Sequence, residues 1–193
     1  MTDVLAIAAS ARRGGNSDAV LEAALDAMRE RGATVETIVP RRLEIKPCFS
    51  CDGCWDTGKC VVKDALQDMY PRFVQADHIV VAAPLYFTSL PGHCKVLIDR
   101  FQCFWVRTFR LKSPPEPRRR GMLLCVSAEE NERYYKSTRT IIRSWMASLN
   151  MKCAVERFYP GVDAKDDLVT NHPEFLDDAR QAAAELLDGK QGQ

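Results

Sequence analysis

The chain has 193 residues, enough for one domain with a sizeable core. Hydrophobic residues make up 46% and charged residues 27%, and the formal net charge of +1 offers no field of one sign for nucleic acid or an anionic membrane. No run approaches the roughly 18 apolar residues of a membrane span, and the start, Met1-Thr-Asp-Val-Leu, lacks the basic opening of a signal peptide. Eight cysteines without such a signal point to a reducing cytoplasm and to metal or redox chemistry.

Val4 to Ala9 reads as a short buried parallel strand. Ser17 or Asp18 can cap a helix whose apolar positions Val20, Leu21, Ala24, Leu25 and Met28 recur at helical spacing, and Gly32 ends it. Thr34 to Val39 is β-branched and alternating, a second strand. A cysteine-rich loop follows. Asp64 opens a helix through Ala65, Leu66, Met69 and Phe73, with Pro71 expected to kink it. Ile79 to Ala83 is the third strand, stopped by Pro84. Gly92 to Phe104 is a helix with Val96, Leu97, Phe101 and Phe104 on one face. Ser113-Pro-Pro-Glu-Pro is a linker, and Arg118-Arg-Arg120 reads as a solvated edge. Met122 to Val126 is strand four. Asn131 to Leu149 is a long helix with Tyr134, Ile141, Ile142 and Trp145 inward. Cys153 to Tyr159 is strand five, and Pro173 to Leu187 is the last helix. Five strands alternating with five helices imply a three-layer α/β sandwich on a parallel sheet. The unusual loops follow strands one to four. Ligands in such sheets bind beyond the carboxyl ends, at the switch point, which points to the flavodoxin-like order 2-1-3-4-5.

Cys48, Cys51, Cys54 and Cys60 fall in thirteen residues with the spacing Cys-x2-Cys-x2-Cys-x5-Cys. Such runs converge on a soft metal centre, most often an iron-sulfur cluster, whereas zinc usually takes two separate pairs. Gly58 lets the loop reverse ahead of Cys60. The competing reading is a loop of reduced thiols that only pack. Cys94, Cys103, Cys125 and Cys153 have no ligand spacing, and Cys125 reads as a small buried hydrophobe. After strand one, Ser10-Ala-Arg-Arg-Gly-Gly-Asn-Ser17 matches neither a dinucleotide fingerprint nor a P-loop. It still suits a phosphate monoester. Ser10, Asn16 and Ser17 offer short donors, Arg12 a charged fork, and a helix start lies behind them. After strand three, the backbone and side chains of Pro84, Leu85, Tyr86, Phe87 and Thr88 can meet the edge and face of a planar heterocycle. His78 reads as structural, and His93 as a helix-start residue near that loop. No catalytic Ser/His/Asp or paired-carboxylate set stands out.

Together these loops resemble the flavodoxin-like NAD(P)H-dependent FMN reductases, and within them the iron-sulfur flavoproteins. That family opens with strand-Gly-Ser-x-Arg-x-x-Gly-Asn-Ser/Thr, against Ala9-Ser10-Ala11-Arg12-Arg13-Gly14-Gly15-Asn16-Ser17 here. Its ring loop, Pro-x-Tyr-Phe, matches Pro84, Tyr86 and Phe87, and its next helix matches Lys95, Leu97, Ile98, Asp99 and Arg100. The cysteine loop and Lys63-Asp64 match the iron-sulfur branch. The resemblance implies one FMN-binding domain over residues 1–193, with a cysteine-rich insertion at about 46–63. It implies FMN with its phosphate at Ser10, Arg12, Asn16 and Ser17, and its ring against residues 84 to 88 and the fourth-strand loop at Ser127. In that last loop Glu129 and Glu130 replace Gly-rich sequence.

The first functional expectation is an oxidoreductase that passes electrons from ferredoxin or NAD(P)H through a 4Fe-4S cluster and FMN to a small acceptor. The second is an NAD(P)H-dependent FMN or quinone reductase without a cluster. A third, non-enzymatic, is a flavodoxin-like electron carrier. The resemblance also implies a homo-oligomer, dimer or tetramer, with the cluster loop near a subunit interface. The composition implies a cytoplasmic protein with no nucleic-acid or membrane partner.

Overall fold

The computed structural model describes residues 2–189. Strands β1 (Asp3–Ala8), β2 (Thr34–Ile38), β3 (His78–Pro84), β4 (Arg119–Val126) and β5 (Met151–Tyr159) form one parallel sheet in the order β2-β1-β3-β4-β5. The order matches the expectation from the loops. It reverses between β1 and β3, so a crevice opens beyond their carboxyl ends. The helices are α1 (Asn16–Glu30), α2 (Ala65–Gln75), α3 (Gly92–Asp99), α4 (Gln102–Trp105), α5 (Tyr135–Ser148), α6 (Asp167–Asn171) and α7 (Pro173–Asp188).

Period-two alternation divides the strand residues between two cores. Leu5, Ile7, Ile79, Val81 and Leu123 face the side covered by α2, α3, α4 and α5. Val4, Ala6, Val80, Ala82 and Leu124 face the side covered by α1, α6 and α7. Both faces are dry, which is why the strands read as continuous apolar runs. Each fully buried Leu, Ile or Phe contributes about 1.5–3 kcal/mol by leaving water. An aromatic cluster anchors the first side: Phe73 meets Phe101 edge-on at 4.8 Å between centroids, and Phe101 meets Trp145 at 5.5 Å. At Gly121 an added Cβ would lie 2.6 Å from the Met146 sulfur and 3.0 Å from the Ile79 carbonyl oxygen, so a larger residue would push the Met146 side chain aside.

Several local expectations need correction. The helix expected over Gly92 to Phe104 is broken at Arg100, whose side chain turns inward, and α4 runs on into a π-helical turn, Val106–Arg110. The helix expected from Asn131 starts as a 3-10 turn, Glu132–Tyr134, capped by Asn131 Oδ1 accepting from the Arg133 amide at 3.0 Å. The tighter winding rotates the following face, so Tyr135 is buried in place of Tyr134. Not among these is Pro71: helix α2 includes it, on the solvent side, and runs on to Gln75.

The arginine run ahead of β4 is no solvated edge throughout. Arg119 is buried and donates to the carbonyls of Phe73 and Ala76 at 2.9 and 2.7 Å and to that of Leu149 at 3.0 Å. It gathers the ends of α2 and α5 onto the start of β4. No helix among the described residues is long and apolar enough to cross a membrane.

Candidate functional site

Residues 9–15 join β1 to α1 across the crevice. Ser10 is buried, and its Oγ accepts from the Arg12 amide at 3.1 Å, which folds the loop back on itself. Gly14 is left-handed at φ +64°, and its amide donates to Asp18 Oδ2 at 2.7 Å. Asp18 therefore braces the loop from inside α1, and Gly15 occupies the capping position expected of Ser17 or Asp18. The amino end of α1, with its positive dipole and first-turn amides, sits behind the loop. A cavity of about 100 Å³ opens here, walled by Ser10, Arg12, Asn16 and Ser17 on one side and by Pro84, Leu85, Tyr86 and Ser127 on the other.

The second wall comes from the ends of β3 and β4. The Leu85 amide donates to the Val126 carbonyl at 2.9 Å, carrying the ladder one residue past Pro84. Tyr86 and Ser89 then exchange both backbone hydrogen bonds, at 2.9 and 3.0 Å. The two residues between them, Phe87 and Thr88, are both left-handed, at φ +49° and +62°. Tight hairpins of this kind favour Asn or Gly, so an aromatic and a β-branched residue here cost about 1–3 kcal/mol each. Such strain collects at ligand clamps. Phe87 projects fully into solvent. Phe87 and Thr88 line an adjoining groove of about 290 Å³ with Leu85, Ser127, Glu129 and Tyr134. All ten expected cofactor residues thus line the cavity or the groove beside it.

Two features lay outside the sequence reading. Val162 and Asp163, past the end of β5, also line the cavity. The only available signal was the Pro160-Gly161 turn at the strand's carboxyl end. Asn16 uses its side chain as a strap and not as a free donor: Nδ2 donates to the Ala164 carbonyl at 2.7 Å, and Oδ1 accepts from the Leu168 amide at 3.2 Å. His93 is likewise engaged, with Nε2 at 2.9 Å from the Ala9 carbonyl.

The cysteine loop lies between β2 and α2. Ser50, Asp52 and Gly58 are all left-handed, at φ +53°, +55° and +63°, and curl the chain. At Gly58 an added Cβ would sit 2.1 Å from Arg107 Cγ, so any other residue would displace the Arg107 side chain as well as strain the left-handed backbone. Backbone bonds from the Trp55 amide to Asp52 and from the Gly58 amide to Cys54, both 2.8 Å, close the turns. Cys48, Cys51, Cys54 and Cys60 line one cavity of about 80 Å³, with Arg100 and a fifth cysteine, Cys103, in its wall. Burial pushes the Cys54 thiol up, and the neighbouring Cys60, Cys48 and Cys51 push it further. Burial also pushes Cys103 up to about 11. Among the described residues, no group of three or more His, Cys, Asp or Glu side chains closes on a single metal-ion position. All eight cysteines are free, and Cys94 and Cys125 are buried.

A parallel sheet of this order, with a Gly-rich loop, a helix amino end and a cavity at its switch point, is a frame for flavin redox chemistry. The chain belongs to the NADPH-dependent FMN reductase family, whose model matches residues 2–162, and is a flavin-dependent oxidoreductase. It is 32% identical over 143 residues to an iron-sulfur flavoprotein of Methanosarcina thermophila, covering 74% of this chain and 72% of that one. It is 31% identical over 140 residues to an iron-sulfur flavoprotein of Methanocaldococcus jannaschii, covering 72% of this chain and 68% of the relative. A solved NAD(P)H:quinone oxidoreductase from Methanothermobacter marburgensis shares the fold with a TM-score of 0.69 at 20% identity, over 97% of this chain and 98% of that one.

Proposed function

We propose that the chain binds FMN and a 4Fe-4S cluster and carries electrons from ferredoxin or NAD(P)H to a small acceptor. The observation that supports this most is that Cys48, Cys51, Cys54 and Cys60 line one cavity. Four thiolates spaced around a void suit a cluster, in which each iron takes one of them, better than a single ion. The names of the relatives agree with this reading. When bound, the cluster supplies a one-electron centre and the flavin a centre that takes one or two.

The chain's own residues do the binding and orienting. Ser10, Ser17 and the first-turn amides of α1 would hold the phosphate, with Arg12 closing over it as a charged fork. Pro84 to Thr88 and Ser127 would line the ring, and Asn16 fixes the floor. Residues 1–193 would form a single FMN-binding domain, with the cysteine loop as an insertion at about 46–63. Phe49, Trp55, Trp105 and Phe109 are exposed on and beside the cysteine loop, in keeping with a homo-oligomer, dimer or tetramer, that buries them. Free cysteines suit a reducing cytoplasm.

The test is anaerobic purification followed by iron, sulfide and flavin analysis. The expected result is one FMN and about four irons per chain. FMN without iron after reconstitution would sink the cluster. The better reading would then be an NAD(P)H-dependent FMN or quinone reductase without a cluster.

A further inference from the structure

We infer that Arg100 is a positioning residue of the cysteine site: locked by Asp64, it holds the loop closed and aims an N–H at the sulfur of Cys60. The inference rests on the cluster reading above. The Arg100 side chain is 0% exposed and that of Asp64 5%. Desolvating two charges costs about as much as their attraction returns, so such a pair is weak support for stability and needs another reason to be there. Its contacts supply one. Arg100 Nη1 donates to the Asp64 carboxylate and, at 2.7 Å, to the Lys46 carbonyl. Nη2 donates to the Val62 carbonyl at 3.2 Å and to Cys60 Sγ at 3.5 Å. Asp64 in turn accepts from the Lys46 amide at 2.9 Å and the Leu66 amide at 3.1 Å. One ion pair therefore ties the entry of the cysteine loop, at Lys46, to its exit, at Val62.

Arg100 is itself held. Its carbonyl accepts from the Tyr70 hydroxyl at 2.9 Å, at the break between α3 and α4. Its Nε is buried without a partner, and the residue lines the cysteine cavity. Burial would raise the Asp64 carboxyl, but the Arg100 hydrogen bond and the Lys46 amide hold it below the usual carboxylate range, so the pair stays charged. A planar fork can reach both loop ends and a sulfur at once, which an ammonium cannot. Hydrogen bonds to ligand sulfur and net charge near a cluster set its reduction potential.

Iron-free protein is compared first, by hydrogen exchange over residues 46–63. The main variant is Arg100→Gln with Asp64→Asn, because either change alone leaves a buried charge unpaired. Faster exchange in the loop, with FMN still bound, is expected; exchange equal to wild type overturns the positioning role. Should the double variant fail to bind FMN, Arg100→Lys carries the same expectation. The reconstituted proteins are then titrated with dithionite under EPR, each cluster taking one electron from the reductant. The double variant should hold less iron and titrate at lower potential. Arg100→Gln alone should titrate lower still, and Asp64→Asn alone higher than wild type. Wild-type potentials in all three, or shifts of one sign in both single variants, overturn the role at Cys60. If wild type takes up no iron, the cluster reading fails, and the exchange result still decides whether Arg100 orders the loop.

Discussion

The side-chain amide of Asn16 donates to the carbonyl of Ala164 at 2.7 Å, joining positions 148 residues apart. The same side chain accepts from the Leu168 amide, so one asparagine pins the loop after β5 against the start of α1. That loop supplies Val162 and Asp163 to the cavity wall. Asn16→Ala should weaken FMN and riboflavin binding alike, by about 1 kcal/mol or fivefold, the scale of one net hydrogen bond. Fluorescence titration of both flavins checks this. A loss confined to FMN would return Asn16 to the phosphate.

Arg12→Ala should behave differently. Arg12 is exposed at the cavity rim, and the role proposed for it is charge. FMN binding should weaken by about 1.5–3 kcal/mol, the range of a charge-assisted hydrogen bond, while riboflavin binding should not change. Equal affinity of wild type for FMN and riboflavin would reject the phosphate assignment of this loop.

The parts of the site legible in the sequence are those whose chemistry needs particular small or reactive residues. Gly14, Gly58 and Pro84 announce a backbone shape and stand where their loops turn, and the four cysteines, legible by their spacing, line one cavity. The sheet order followed from where those loops had to meet. What stayed hidden depends on contacts between distant segments. Charge patterning treats every arginine as solvated, so neither Arg100 facing Asp64 nor Arg119 beneath three carbonyls could be read. Helical spacing alone did not reveal the 3-10 turn that exchanges Tyr134 for Tyr135. The Asn16 strap needs the fold before it exists.

Arg119→Met tests the cost of one of these hidden contacts. The methionine fills similar space but leaves the carbonyls of Phe73, Ala76 and Leu149 without their donor. Unsatisfied buried acceptors cost about 1–3 kcal/mol each, and partial relaxation should leave a net loss of about 3 kcal/mol. Urea unfolding of the flavin-free protein measures it. A loss under about 0.5 kcal/mol, the usual range of surface changes, would mean that the carbonyls find other partners.

His78 should make stability depend on pH. Burial pushes its pKa below the ordinary value, against the opposing pull of the Arg120 carbonyl. The unfolded chain therefore binds more protons than the native one as pH falls through about 6.5. This contribution is fully present above that value, declines below it, and levels off once the native pKa is passed. Unfolding free energies measured between pH 7.5 and 5 should fall in wild type and fall less in His78→Gln. Parallel curves would assign the slope to other groups.

Cys54→Ser tests whether the cysteine loop belongs to the electron path. Cys54 lies mid-loop between Cys51 and Cys60 and shares their cavity, while the cavity proposed for FMN is built from other residues at the ends of β1, β3 and β4. The substitution should therefore cost most of the iron and spare FMN. A serine oxygen is a harder and less readily ionised ligand than a thiolate. A two-electron chemical reductant should still bleach the bound flavin. Reduced ferredoxin, which delivers single electrons, should bleach it at least tenfold more slowly than in wild type, about 1.4 kcal/mol or more in barrier. Stopped-flow traces at the flavin absorption band separate the two routes. An unchanged ferredoxin-driven rate in protein shown to lack iron would take the cysteine loop off the electron path and leave it a structural element.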